Sequence, residues 1–599
     1  MLHRLPSRRL LPLIFAVGVA FAPFARALPE FDAWVETIAQ DWVKASPMTA
    51  TSTQYLPATE QAEIDRKLDG PDGLYLVDAS ARAARAAAAQ RGLAGLEKWP
   101  ETELTNTQRT SREILDWRFR EAIRLAEADA SLYVFHQFRG LQIVLVNFLT
   151  QTHPIRNARD ADNYLARLTQ VAPLLERGIA EARARAERGI VPPDFILKST
   201  LGGLDRLLAP EPAKNVLVTT LAESLAKLKD LPEADRAAAL ARAESITRAE
   251  ILPALGRVRA LLAEQAKTAT ADAGLWKIPG GDKVYAAQLA TMTTTDLSPD
   301  EIHAIGLREV ARIEGEMDVI FRQLGYTEGT VNARYDALEA KLQPPAEPDP
   351  RPALIAQYTR FVRDAELRAP AFFDLLPKAP VEVRREPVFT EATAAARYTM
   401  PAPDGSKPGI FWTPLPGPSF RILGMRTLAY HEAIPGHHYQ LALQQELDLP
   451  RFRKLRAMGG IVAFSEGWGL YAEQLADEAG WYEGDPQGRL GYLNAQLFRA
   501  RRLVVDTGLH AKKWTRQQAI DYGISAAEVE RYVVYPGQAC AYMIGRLKIV
   551  ECRERAKAAL GAKFSLREFH NLVLRTGELP LAVLDRVVDE WIAAQKAKA

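Results

Sequence analysis

From Phe31 to about Thr268 one pattern dominates: long Ala/Leu/Arg/Glu segments with apolar residues three and four apart, as in Ser111 to Ala128, Ala161 to Ala186 and Ala234 to Leu252. That interval lays a stripe down one side of an α-helix, whereas a half-buried strand needs strict alternation. Nearly half of the chain is thereby committed to helices that must pack on one another. Pro71-Asp72-Gly73 and Pro192-Pro193 punctuate the segments, and the Ala/Arg stretch from Ala81 to Ala89 reads as a helix face. No fixed-period repeat is present. With 599 residues, 48% hydrophobic and 25% charged, the chain can bury a large core and has the balance of a folded enzyme.

The texture changes near Gly274. Ser298-Pro299-Asp300-Glu301 combines an N-cap, a proline at the first helical position and a capping-box glutamate, predicting a helix from Pro299 to about Leu324 that Gly325 stops. Val381-Glu-Val-Arg and Gly409-Ile-Phe-Trp-Thr, set among prolines and glycines, read as the only strands. A short sheet there could present an edge to an extended peptide. The expected fold is mainly α, with a small β-sheet near the active site. The expected division is residues 1–27 as an export signal, 28–273 as an N-terminal helical half and 274–599 as a catalytic half.

Lys and Arg number 76 against 74 Asp and Glu, and four of the arginines (Arg4, Arg8, Arg9, Arg26) lie in the acid-free first 27 residues, leaving 72 against 74 beyond them. Such a mature chain has no global charge excess for phosphate backbones, so nucleic acid is set aside as a partner. The same segment has a basic start, an apolar run from Leu10 to Phe24 and Ala25-Arg26-Ala27, the pattern of a cleaved export signal. The run falls short of the roughly 20 residues that span a bilayer and contains Pro12 and Pro23. The expectation is a periplasmic or secreted protein without a stable membrane anchor after cleavage. No cysteine follows the cleavage site to accept a lipid. Cys540 and Cys552 are twelve residues apart in one predicted helix, too far to bond, and read as buried thiols.

Tyr430-His431-Glu432-Ala-Ile-Pro435-Gly436-His437-His438 gathers three of nine histidines and a carboxylate in eight positions. Neutral imidazoles plus a carboxylate are the ligand set of a catalytic zinc, with a further carboxylate free to serve as general base. The spacing departs from the zincin His-Glu-x-x-His. On an unbroken helix His437 would point about 120° away from His431, and His438 would sit about 10 Å further along the axis. Pro435 lacks an N–H, disfavours helix at Ile434, and precedes a permissive glycine, so a bulge of two extra residues should return His437 to the position of the second ligand. His437 is chosen over His438, which is left as an outer partner.

Some 29 residues on, Ser465-Glu466-Gly467-Trp468-Gly469-Leu470-Tyr471-Ala472-Glu473 places two glutamates on one helical face, two turns apart. Glu466 is assigned as third ligand and Glu473 as the group orienting an imidazole, with Gly467 and Gly469 allowing close helix approach. Arg502, Asp506 and His510 form one polar stripe of a buried helix, with His510 a candidate substrate or transition-state contact. Tyr535, Gln538 and Tyr542 form a last segment, with Tyr542 as phenol donor to an oxyanion and Arg546 as a clamp for a peptide carboxylate. His136, His153, His303 and His570 carry no spacing signal.

His-Glu-Ala-Ile-Pro-Gly-His-His-Tyr-Gln, Ser-Glu-Gly-Trp-Gly-Leu-Tyr-Ala-Glu and Tyr535-Pro-Gly-Gln-Ala-Cys-Ala-Tyr542-Met-Ile-Gly545 resemble the domain-of-unknown-function-885 family of bacterial proteins. That family is itself similar to helical gluzincin peptidases of the carboxypeptidase Taq type. The resemblance runs through most of the mature chain, including Pro279-Gly-Gly to Tyr285. It implies a large helical fold with a deep central cleft and one zinc ion per chain at its floor, held by His431, His437 and Glu466. The insertion of Ala433-Ile434-Pro435 puts in question whether Glu432 still faces the attacking water. The reading that follows is an exported zinc metallopeptidase acting on short peptides, carboxypeptidase- or oligopeptidase-like. Two other classes share these residues: a zinc hydrolase of another amide or ester, and a helical binding protein without turnover. The sequence is silent on cleavage mode, physiological metal and oligomeric state.

Overall fold

The computed structural model describes residues 27–387, 391, 394–402, 405 and 407–598. The segment read as an export signal lies outside them, apart from Ala27. The chain is mainly helical with one small sheet. Seven helices build its centre: α1 (Asn106–Ala128), α2 (Pro299–Gln323), α3 (Met425–Glu432), α4 (His437–Glu446), α5 (Val462–Glu478), α6 (Pro486–Ala511) and α7 (Gln538–Leu560).

Their ends follow local chemistry. Ser298 Oγ accepts from the Glu301 N–H at 3.3 Å while the Glu301 carboxylate accepts from the Ser298 N–H at 2.8 Å, so the expected capping box opens α2. Thr105 and Gln108 do the same for α1. The α2 helix packs lengthwise on α6, and α5 lies as intimately on α7. At the α5/α7 crossing the backbones nearly touch: a Cβ on Gly545 would stand 1.8 Å from the Ala463 carbonyl oxygen. Glycine is required at that contact.

The sheet has three strands, β1 (Val381–Arg385), β2 (Arg397–Thr399) and β3 (Gly409–Thr413), in the order β1-β3-β2. Both expected strands form, and they pair in parallel with Val381 opposite Gly409. The third, β2, was not legible: three residues are too few to show alternation, and it is held by antiparallel pairing with β3.

The cores do not divide at residue 273. One apolar core runs from Phe31 through the α1 residues Leu115 and Phe119 into the C-terminal half, reaching Ile592. Arg586 bonds Glu113 at 2.6 Å across that junction, and Arg118 donates to the carbonyls of Gly459 and Gly460. A second core joins Leu68, Leu74 and Val77 to helices from Val134 to Leu262, including the 30-residue helix Ala158–Glu187. Helical periodicity cannot say which stripe meets which, so the sequence boundary fell where texture changed rather than where packing does. Among the described residues no helix is long and apolar enough to cross a membrane.

Candidate metal centre

The α3 helix ends at Glu432, where Ala433 leaves helical geometry at φ −111°, ψ −97°, and α4 begins at His437. The insertion is therefore a full break between two helices, with a cis Ile434–Pro435 peptide, rather than the bulge expected within one helix. Two contacts fix the break. The Trp468 Nε1–H of α5 donates to the Pro435 carbonyl at 2.9 Å, and a Cβ on Gly436 would lie 1.9 Å from the His431 carbonyl oxygen.

The break brings His437 back over His431, their rings 4.8 Å apart and nearly perpendicular. Glu466 of α5 stands between them: its Oε2 lies 3.5 Å from His431 Nε2 and 3.4 Å from His437 Nε2. One ligand atom from each of the three residues falls within 4.8 Å of the others. A tetrahedral ion with bonds near 2.0–2.1 Å has donor-to-donor edges of roughly 3.3–3.4 Å, close to the two spacings at Glu466.

The next turns of α5 hold the other side of the His431 ring. Glu473 Oε1 accepts from His431 Nδ1–H at 2.8 Å, and its Oε2 accepts from the Thr427 hydroxyl at 2.8 Å. A carboxylate on Nδ1 fixes the ring so that Nε2 faces Glu466. The ring lies directly over Gly469, where a Cβ would come 2.7 Å from His431 Cε1. The two α5 glycines thus serve different ends: Gly467 admits α7, and Gly469 admits the imidazole. Burial alone would drive the Glu466 carboxyl up, but His431 and His437 outweigh it and hold it well below the usual range. Burial and the Glu466 charge raise the Glu432 carboxyl against the same two imidazoles and the Arg499 guanidinium, so Glu432 lies within electrostatic reach of the cluster.

The remaining sequence candidates separate. Burial and the Glu466 charge both raise the Tyr542 phenol, which accepts from Gln538 Nε2 at 3.4 Å. Arg502 packs on the Tyr542 ring at 4.6 Å. His438 turns away: Tyr398 OH lies 2.9 Å from its Nδ1, tying α4 to β2. His510 is not a substrate contact. Its Nδ1 accepts from the Leu275 N–H and its Nε2 donates to the Tyr532 carbonyl, so both ring nitrogens are spent on backbone. Asp506 accepts from Tyr285 OH at 2.7 Å and from the Gly537 N–H at 3.0 Å, anchoring the turn that starts α7. Tyr535 accepts from Arg139. Arg546 is no clamp either, because Glu309 and Gln474 occupy its guanidinium. The stripe of Arg502, Asp506 and His510 is buried as expected, but its members bond outward to other elements rather than to one another, Arg502 and His510 to Tyr532 and Asp506 to Tyr285.

Thr427, Gln496 and Arg499 were missed. Thr427 lies four residues before His431, a spacing that marks it as a neighbour on the same face of α3. Gln496 Nε2 reaches Glu473 at 3.5 Å from α6, for which no sequence signal exists. Arg499, one turn before Arg502 on α6, favours the ionised forms of both Glu432 and Glu473.

Residues 62–588 match the model of a family described as bacterial protein of unknown function (DUF885). The chain belongs to that family. It is similar over 94% of its length, at 31% identity and a TM-score of 0.85, to 99% of a crystal structure described as a "putative lipoprotein" from Colwellia psychrerythraea. A "putative lipoprotein of unknown function" from Shewanella oneidensis shares the fold at 19% identity and a TM-score of 0.67, over 93% of this chain and 99% of that one. Among curated proteins none matches.

Proposed function

We propose that this chain is an exported metal-dependent peptidase that hydrolyses short peptides. The observation that carries the reading is the convergence of His431, His437 and Glu466, with the buried Glu432 next to His431 in sequence and Glu473 bonded to the His431 ring. The donor set fits zinc: two imidazole nitrogens and one carboxylate oxygen, an arrangement that leaves a fourth position open. When bound by these three residues, such an ion supplies Lewis acidity toward a carbonyl and lowers the pKa of water.

The chain's own groups do the rest. Glu432 takes a proton from the attacking water and returns it to the leaving amine. Tyr542, steadied by Arg502, offers its phenol hydrogen to the oxygen that gains charge as the carbonyl becomes tetrahedral. His431, Glu432 and His437 are buried, which lowers the local dielectric and strengthens both interactions. The N-terminal sequence pattern, and descriptions of similar proteins as lipoproteins, support a location outside the cytoplasm.

The test is metal content of the purified protein and of His431→Ala, paired with hydrolysis of a short-peptide library. About one zinc per chain, lost in the variant, with peptide cleavage that Glu432→Gln abolishes, is the expected result. Turnover of acyl amides or esters but not peptides would move the chain to another class of hydrolase. Metal retention without any turnover in wild type or Glu432→Gln would leave a binding protein.

A further inference from the structure

An open cavity of about 610 Å³ lies against the start of α3, a volume within the roughly 300–1,000 Å³ typical of small-molecule sites. Its walls are the end of the helix Arg351–Arg368, Arg426 of α3 and the connection between α5 and α6 from Gly480 to Asp485. Arg426 precedes His431 by five residues and so stands about 140° around α3 from it, which sets this cavity apart from the triad.

The walls use only part of their bonding capacity. Arg426 Nη1 donates to the Trp481 carbonyl at 3.0 Å and lies 3.4 Å from Asp485 Oδ2, while its Nε is buried without a hydrogen bond among the described residues. Arg368 meets Asp364 through Nε at 2.9 Å; its two Nη atoms make no hydrogen bond among the described residues, and the side chain is exposed. Tyr430 follows Arg426 by one turn on the same face of α3. Its side chain is fully buried and its hydroxyl has no partner among the described residues, yet it feels the charges of Arg426, Arg368 and Asp485, all on the cavity wall. Asp485 is committed, since its other oxygen accepts from the Gly488 N–H at 2.8 Å. Glu483 is exposed and makes no ion pair among the described residues.

Two guanidinium groups and a phenol with unspent donors therefore share one cavity with an unspent carboxylate. A carboxylate is the group that matches guanidinium nitrogens, and an ammonium is the group that Glu483 can accept from. A simple anion would meet Glu483, and a simple cation would meet both arginines; a molecule carrying both charges avoids either repulsion. We infer that this cavity binds a small zwitterion, a free amino acid or a dipeptide, with its carboxylate at Arg368 and Arg426 beside the Tyr430 hydroxyl and its ammonium at Glu483. The site is separate from the metal centre and does not rest on the peptidase reading.

The experiment is calorimetric titration of the full chain, stripped of metal by a chelator, with alanine, alanyl-alanine, N-acetylalanine and alaninamide. Alanine or alanyl-alanine should bind with Kd of about 1 mM or tighter, the tighter of the two naming the ligand, and the acetylated and amidated compounds should bind about 10-fold more weakly or worse. Arg368→Met and Glu483→Gln, both at exposed positions where the fold should be kept, should each weaken binding about 10-fold with the thermal midpoint unchanged. His431→Ala should leave the affinity as it is. No binding of either zwitterion, equal binding of the blocked compounds, or affinity unmoved by both substitutions overturns the assignment. Loss of binding in His431→Ala also overturns it, because the ligand would then sit at the metal centre.

Discussion

Replacing Gly469 by alanine should separate the metal centre from the fold that carries it. The α5 backbone at Gly469 is helical, so alanine suits it and by propensity alone would add about 0.8–1 kcal/mol of stability. The new methyl, however, would stand 2.7 Å from His431 Cε1 and 3.0 Å from both ring nitrogens, where ordinary contact begins at 3.4 Å. The imidazole must retreat by several tenths of an ångström, and its Nδ1, one of the three atoms nearest the methyl, is the atom bonded to Glu473 at 2.8 Å. Overpacking of this kind costs roughly 1–3 kcal/mol, so the metal-free variant should unfold within about 2 kcal/mol of wild type. Displacing a ligand from its orienting carboxylate lowers metal affinity by roughly 10–100-fold. The stabilisation that zinc confers should therefore shrink by about 1.4–2.7 kcal/mol. Urea unfolding with and without zinc, beside a competition titration against a chromophoric chelator, reads both quantities. Wild-type zinc affinity in Gly469→Ala would refute the reasoning, because no ligand shift would then follow from the methyl.

Other outcomes follow from the same packing. Gly545→Ala puts a methyl 1.8 Å from the Ala463 carbonyl and 2.9 Å from Gly467 Cα, both backbone, so it should cost about 3 kcal/mol or more and lower the thermal midpoint even without metal. Burial holds His510 and His570 at about 4, below their unfolded 6.5, so the native state stays neutral where the unfolded chain takes up protons. Their contribution is complete above pH 6.5 and is lost as pH falls toward 4, by up to about 3 kcal/mol each; His570→Asn should remove one proton from the linkage measured by urea unfolding across that window. Asp506 runs the other way: burial raises it to about 7, so the native carboxyl keeps its proton while the unfolded one loses it, and stability falls as pH climbs from about 4 to 7. Asp506→Asn should flatten that decline in the same assay.

What the sequence determined by itself was whatever depends on neighbours along the chain. The α2 capping box, the helical run within Ala158–Glu187, the strand at Gly409 and the pairing of Glu466 with Glu473 are all set by spacings of a few residues. The interruption of regular helix before His437 was legible, because proline and glycine act where they stand, but it was expected as a bulge and forms as a full break between two helices. Tertiary structure decided everything that depends on which buried group meets which. Arg546 looked like a clamp and is neutralised by Glu309, 237 residues away; His510 looked catalytic and is spent on the backbone of Leu275 and Tyr532; Arg502, placed in one buried stripe with Asp506 and His510, is taken by Glu528 and Tyr532. The physical reason is that a polar group taken from water must find a partner wherever packing offers one, and helical periodicity fixes a face without naming its neighbour. The core boundary follows the same rule, since Phe31 to Ala128 joins the C-terminal half through contacts that no local pattern records.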